Sequence, residues 1–392
     1  MPERFALIAR SAGGAALLVG LVAFTAPAAF GAGTTSGSQR ASAATVAAQG
    51  ANSHRSGDGD GDDRRPAPGC PCSLPASFAY SEFSPGNVNE ANGDSDGPAA
   101  FGGTTSLSHF AISTVRSELP PFRLALVAGG PVTGGGTTTI HYGNGLYDST
   151  ISGVADDHGH LYPISAAHLQ PYFSTTAAAD SAFSSKLAAL YTSPGDMALV
   201  NSSTLTLQAT TTESNHIYIW DLTPGELHGI TSIDIEGVPS GGTVVVNVTD
   251  AGTVALTVTS VTLDGKSSTN RHAAPGLAAS TIFNFPAATA LTLTGDWAGT
   301  IFAPGATTTY SNGHLWGSID SASLTGSDQF TSGPLLRPFC IPTSGPGTSP
   351  GNGGPGTQLP EGQPVEMVTG SAVLLGGAVL WRRRRSRRKA AR

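Results

Sequence analysis

The chain has 392 residues, of which 51 are Gly and 27 Pro, with 12% charged side chains and a formal net charge of −7. Between residues 29 and 360 it carries 24 Asp and Glu against 10 Lys and Arg, a net charge near −14, because eight of the 20 basic residues follow Trp381. That part lacks a basic footprint, which argues against nucleic acid or anionic lipid as its partner, and the Gly, Pro, Thr, Ser and Val content is that of an extracellular β-protein rich in turns.

At the N-terminus Arg4 and Arg10 precede an apolar stretch, Ala15 to Phe24, and Ala26-Pro27-Ala28 supplies small residues at a cleavage point. Residues 1–28 are therefore read as a secretory signal peptide. Residues 29–73, made of Gly, Ser, Ala and Asp, form an acidic linker with too little apolar surface to fold. The folded domain is expected over residues 74–341.

Inside it, apolar residues alternate with polar ones at Leu205/Leu207, Ile217/Ile219, Ile233/Ile235, Val254/Leu256/Val258 and Leu291/Leu293, the period of half-buried strands. Val244-Val245-Val246 reads as a strand buried on both faces. Between Ser165 and Ser193 the spacing changes to three and four, through Phe173, Ala177, Phe183, Leu187, Leu190 and Tyr191. This predicts one helix of about 20 residues, with Pro171 near its start. The fold class is mainly β, with one helix packed on the sheet.

After the domain come a Pro/Gly-rich spacer, 342–358, and a tail, 359–392. The tail places Leu359-Pro360-Glu361-Gly362-Gln363 before an apolar segment, 364–381, and a basic end, 382–392. That order resembles the C-terminal sorting signal of Gram-positive surface proteins, which implies sortase as a partner and membrane contact through the apolar segment. The usual motif is Leu-Pro-x-Thr-Gly, and Gly362 and Gln363 depart from it. The apolar run is short beside the roughly 20 residues that span a bilayer, and the Arg cluster fits a cytoplasmic flank.

Cys70, Cys72 and Cys340 bracket the domain. In an oxidising compartment they read as one disulfide, Cys340 with either Cys70 or Cys72, and one leftover thiol.

Several motifs carry residue types suited to chemistry. Gly347-Thr348-Ser349-Pro350-Gly351 matches a nucleophile-elbow pattern but lies in the spacer, without the strand and helix that pattern needs. Asp58 to Asp63 begins like a Ca²⁺ loop, but its twelfth position is Gly69 instead of Glu, so it reads as a solvated linker. Asp156-Asp157-His158-Gly159-His160 offers metal-ligand types and reads first as a polar loop before the helix. The Thr runs Thr137–Thr139, Thr210–Thr212 and Thr307–Thr309 suit an ice-binding array, although Thr is favoured on any strand. Trp220, Trp297 and Trp316 read as core, with saccharide stacking the alternative for one exposed near Tyr310 or His314. No catalytic, cofactor-binding or metal-binding residue is assigned.

Three blocks resemble the choice-of-anchor A domain of bacterial surface proteins: Asn92 to Gly103 with His109-Phe110-Ala111-Ile112, the helix and the strands after it, and Thr281 to Pro286 running into Asp296 to Ala306 and Asn312 to Ile319. At Ser327-Asp328-Gln329-Phe330 the family's closing His is missing. The resemblance implies a β-solenoid domain with a flanking helix and an adhesive, non-enzymatic role at the cell surface, towards an unknown matrix protein, glycan or neighbouring cell. An ice-binding-like or glycan-binding domain is the alternative, and a wall-polymer hydrolase the third reading.

Overall fold

The computed structural model describes residues 74–115, 124–190, 196–210, 216–267 and 279–331, together with Thr192, Phe339 and Ile341. The signal peptide, linker, spacer and tail, Leu359 to Gln363, and Cys70, Cys72 and Cys340 lie outside the described residues.

The chain winds into coils. Glu82–Ser84 pairs in parallel with Ala99–Phe101, which pairs with Leu124–Ala128, then Asn144–Tyr147 and Leu161–Pro163. Parallel neighbours require a return path to the same edge. Here that path is more strand: Val88–Ser95, Thr105–Ile112, Val132–Tyr142 and Ile151–His158 stack in the same order on the next side. Register breaks at Ser108/Ala111, Thr133/Thr138 and Ser311/His314 bend these long strands from a second face onto a third. Each circuit thus has three faces, and the fold is a parallel β-solenoid.

Winding is discontinuous. After Leu161–Pro163 the chain enters helix α1, Ala166–Ala188, capped by Ser165, whose Oγ accepts from the Ala167 N–H at 3.3 Å. It then forms an antiparallel hairpin, Met197–Asn201 with Thr204–Gln208. From there coils stack again through Ile217–Leu222, Thr243–Val248, Thr281–Asn284, Thr300–Trp316 and Ile319–Thr331. The last of these lies beside Glu82–Ser84. The first and last coils therefore meet in the middle of the stack, and α1 connects its two ends.

On the first face the alternate residues split between two environments. Tyr218, Trp220, Val244, Val246, Phe283, Ile301 and Ile319 point into the solenoid. Ile217, Ile219, Val245, Ile282 and Phe302 point outward and are covered by Phe183 and Leu187 of α1 and by Phe78. Ile217 and Ile219 were expected on a half-exposed strand; α1 buries that side as well, leaving only Asp221 of the strand exposed. Val244 to Val246 is buried on both faces, as expected.

Close packing of coils needs glycine at one corner. A Cβ on Gly103 would stand 2.6 Å from the Gly86 carbonyl, and one on Gly130 2.4 Å from that of Gly103. The helix is seated the same way. Phe173 packs where a Cβ on Gly102 or Gly129 would clash, and Gln170 Nε2 donates to Gly129 O at 2.6 Å and Gly102 O at 3.2 Å. Between Gln170 and Leu187 the helix rises about 26 Å at 1.5 Å per residue, or five to six strand spacings of about 4.8 Å. Its far end docks on a polar row: Asn284 Nδ2 donates to Asn247 Oδ1 (2.9 Å), Ser184 Oγ to Asn284 Oδ1 (2.6 Å), and Asn247 Nδ2 to Leu187 O (3.0 Å). The last of these adds a side-chain donor to a carbonyl of the final helical turn that already accepts from the Leu190 N–H at 3.1 Å.

Candidate binding face

The second face presents its outward side chains to solvent, and register fixes which ones align. One row runs Ala255, Thr292, Thr309, Thr325, Asn89, Ser106, Thr133, Ser152. Beside it stand Thr253, Ala290, Thr307 and Ser323, and on the other side Thr257, Thr294, Ser311 and Ser327. Every outward position in these rows is Thr, Ser, Ala or Asn. The alternate residues, Val254, Leu256, Leu291, Leu293, Tyr310 and Leu324, fill the interior.

The arrangement follows from strand geometry. Neighbouring rows along a strand are two residues apart, about 6.6 Å, and neighbouring strands lie about 4.8 Å apart. β-Branched Thr has a restricted χ1, so its methyl and hydroxyl are held at fixed places on this grid. Rungs are tied laterally, for example by Ser323 Oγ donating to Thr307 Oγ1 at 3.0 Å. Such a face offers hydroxyls and methyls in a repeating pattern with no charge to hydrate.

The third face differs. It carries His141 paired with Asp157 at 3.0 Å, His314 with Asp296 at 3.4 Å, and Asp234, which accepts from Thr262 Oγ1. Gln329, His314 and Asp94 share one row there. The first face is closed by α1. Among the described residues, only the second face is both open and uncharged.

The residues singled out in the sequence distribute unevenly. Thr307 and Thr309 lie on the uncharged face, while Thr308 turns inward and is buried. Thr137–Thr139 fall on the strand that turns onto the third face, with Thr138 buried. Thr210 is exposed beyond the end of Thr204–Gln208, and Thr211 and Thr212 are outside the described residues. The three runs therefore do not form one array; the array comes instead from single Thr residues brought into register by coiling. Asp156 to Asp157 continue a strand, and the His158 ring stacks on Tyr142 with centroids 5.1 Å apart. Among the described residues no group of three His, Cys, Asp or Glu could hold a metal ion. Trp220 and Trp297 are core residues, and Tyr310 is buried, its hydroxyl donating to Gly295 O at 2.8 Å. Trp316 is half-buried beside His314, with ring centroids 6.2 Å apart.

A second set of side chains escaped the sequence reading: acids buried in the core. Glu82 and Glu90 are 0% exposed although they lie on strands, and Asp180 and Asp320 are 0% and 4% exposed. Burial pushes Glu82 up to about 8, eased by the Ser95 hydroxyl and reinforced by the charge of Asp94.

The described coils thus form a three-faced solenoid with one open face whose outward rows are uncharged and rich in hydroxyls. The chain belongs to the family described as "Putative Ice-binding-like adhesive domain", whose pattern it matches over residues 75–332. Among solved structures it is similar to an ice-binding protein from an Antarctic bacterium, Flavobacteriaceae, at 11% identity and a TM-score of 0.25, covering 67% of this chain and 82% of that one. No curated protein sequence matches it.

Proposed function

We propose that this is an exported, non-enzymatic adhesive protein that attaches through its Thr/Ser face to a flat, uncharged, regularly hydroxylated surface, with ice as the first candidate. The observation that carries this reading is the run of uncharged outward residues, Ala255 to Ser152, flanked by Thr253, Thr307, Thr257 and Thr294. A face of this kind sheds its hydration at low cost because it has no charge to desolvate. Its methyls exclude water while its hydroxyls replace water's own hydrogen bonds, and the few-ångström grid is of the same scale as the oxygen lattice of ice. Membership of an adhesive family supports the same role.

The remaining features of the chain complete the proposal. The signal peptide would deliver the domain to the outside, and the spacer would hold it clear of the envelope. Retention would come from the apolar segment and Arg cluster, with or without sortase acting at Leu359 to Gln363. The resemblance to choice-of-anchor A proteins, which carry varied anchors, supports that arrangement.

The test is partition of the purified protein into slowly growing ice, with thermal hysteresis measured beside it and Thr309→Tyr as the control. Enrichment in ice that the Tyr variant loses supports the reading. A folded wild-type protein that stays in the liquid and leaves ice growth unchanged overturns ice as the target. Mass spectrometry of the mature C-terminus then distinguishes wall linkage from retention of an intact tail.

A further inference from the structure

Three side chains from separate segments meet beneath α1. Ser77 comes from the 3-10 helix Ala76–Ala79, Asp180 from the middle of α1, and Asp320 from the last coil. All three are buried, at 2%, 0% and 4% exposure. Ser77 Oγ donates to Asp180 Oδ1 at 2.7 Å. Asp180 Oδ2 and both oxygens of Asp320 are buried with no other hydrogen-bond partner.

Asp320 stands in register with Phe83 on one side and Phe302 on the other, and Phe302 packs against Phe78 and Phe183 with centroids 5.1 and 5.8 Å apart. The surroundings are therefore apolar. The titratable groups facing the pair are Tyr172 of α1, whose hydroxyl donates to that of Tyr80 at 3.1 Å, and, on the inward side of the adjoining coil, Glu82. Among the described residues no Lys, Arg or His forms an ion pair with either carboxyl group.

Two ionised carboxylates cannot share such a place without a cation, because each would lose its hydration and repel the other. One retained proton resolves this: the protonated carboxyl donates its O–H to the other, and Ser77 supplies a further donor. We propose that Asp180 and Asp320 form a proton-held latch that fastens α1 across the meeting point of the first and last coils and releases as the pH rises. Burial pushes Asp180 up to about 7 and Asp320 well above its ordinary value, the second reinforced by the charge of the first. The folded protein thus holds protons that the unfolded chain has released above about pH 4; Asp180 gives up its proton about neutrality and Asp320 above it, so the latch is closed in acid and loses its hold as the second proton leaves.

The inference does not depend on what the Thr/Ser face binds, and its test reads α1 directly. Hydrogen exchange of α1 amides, corrected for intrinsic rate, is followed from pH 5 to 9 in the full-length protein, in Asp320→Asn and in Glu82→Gln. Protection of α1 in the wild type should fall at least tenfold across that range. Asp320→Asn, which cannot ionise, should remove most of the dependence, and Glu82→Gln should leave it in place. Infrared titration of the wild type keeps the idea testable if a variant misfolds, since the buried carboxylic-acid carbonyl bands must weaken between pH 6 and 9 by more than the single proton of Glu82 accounts for. Equal pH dependence in wild type and Asp320→Asn, or no protonated carboxyl band at pH 6, overturns the latch.

Discussion

Glu82 stands in parallel register with Ile319, and the Ile319 N–H donates to Ser81 O at 2.8 Å. The first coil of the domain is thereby hydrogen-bonded to the last, although more than half of the chain lies between them. Neither half of the stack has a free inner edge once this contact forms, which removes a site where another strand could add. Folding must bring the two ends of the sequence together before the core closes, a long-range contact of the slow-forming kind.

The closing coil should be correspondingly sensitive. Phe330 is fully buried, pairs with Ser95 of the first coil and lies 5.8 Å from the Tyr310 ring. Phe330→Ala should destabilise by about 3–5 kcal/mol, read as a lower urea midpoint at unchanged slope.

The uncharged face should separate binding from stability. Thr292 is exposed in the central row, so Thr292→Lys should change stability by less than about 0.5 kcal/mol while placing a hydrated charge in the contact. Ice partition or surface adhesion should fall at least tenfold. Gln329→Lys, an equal change on the third face, should leave binding intact. Equal losses in both variants would point to a nonspecific charge effect.

How much of this was legible beforehand depended on range. Helix α1 announced itself because Phe173, Phe183 and Leu187 recur at helical spacing, and all three are buried. The strands at Leu205/Leu207, Ile233/Ile235, Val254 to Val258 and Leu291/Leu293 alternated as half-buried strands do. What local pattern could not supply was register between coils. Ladder partners are separated by 18 residues at Thr300 and Ser318, 28 at Ser232 and Ser260, and 37 at Asn247 and Asn284, so there is no fixed period to detect. The binding face was hidden for that reason: Thr257, Thr294 and Ser311 align only once coiling has set their register. Asp180, Thr176 and Ser184 were hidden differently, because polar residues on a helix ordinarily mark its wet side, yet here they face the solenoid.

The Asn ladder tests how α1 is held. Replacing Asn284 by Leu strands Asn247 Oδ1 and Ser184 Oγ in a buried site, and should cost about 1–3 kcal/mol. Asn247→Leu should cost a similar amount by removing the acceptor of Asn284 Nδ2 and the donor to Leu187 O and Asp221. The double variant should cost less than the two added together, since the shared bond is lost only once. Denaturant titration of the four proteins gives the coupling.

Glu82 predicts the pH profile of global stability. Its folded value is raised to about 8 from 4.5 by burial above all. Between those limits the folded state binds a proton that the unfolded state lacks, so stability falls as pH rises through that window and is level outside it. The contribution is on the order of 5 kcal/mol. Glu82→Gln should reduce the decline in urea midpoint between pH 5 and 8 by its own share, leaving the part that Asp180 and Asp320 contribute, and a wild-type profile that rises over this window would contradict the assignment.

The two ends of the domain also converge on one cluster. Leu74 packs against the group containing Phe78, Phe183 and Phe302, and so do Phe339 and Ile341, which flank Cys340 in the chain; Phe339 lies 6.0 Å from the Phe183 ring. Leu74 follows Cys72 by two residues, which is why Cys340 is expected to pair with Cys72 in preference to Cys70. A disulfide here would close a loop of nearly the whole domain, worth about 5–6 kcal/mol on the chain-entropy view, and would clamp the 3-10 helix and Ser77 beneath α1. Peptide mapping without reduction should recover Cys340 joined to the peptide bearing Cys70 and Cys72, and Cys72→Ser should remove the link where Cys70→Ser keeps it. Three freely titrating thiols in the purified protein would show that packing alone holds the two ends.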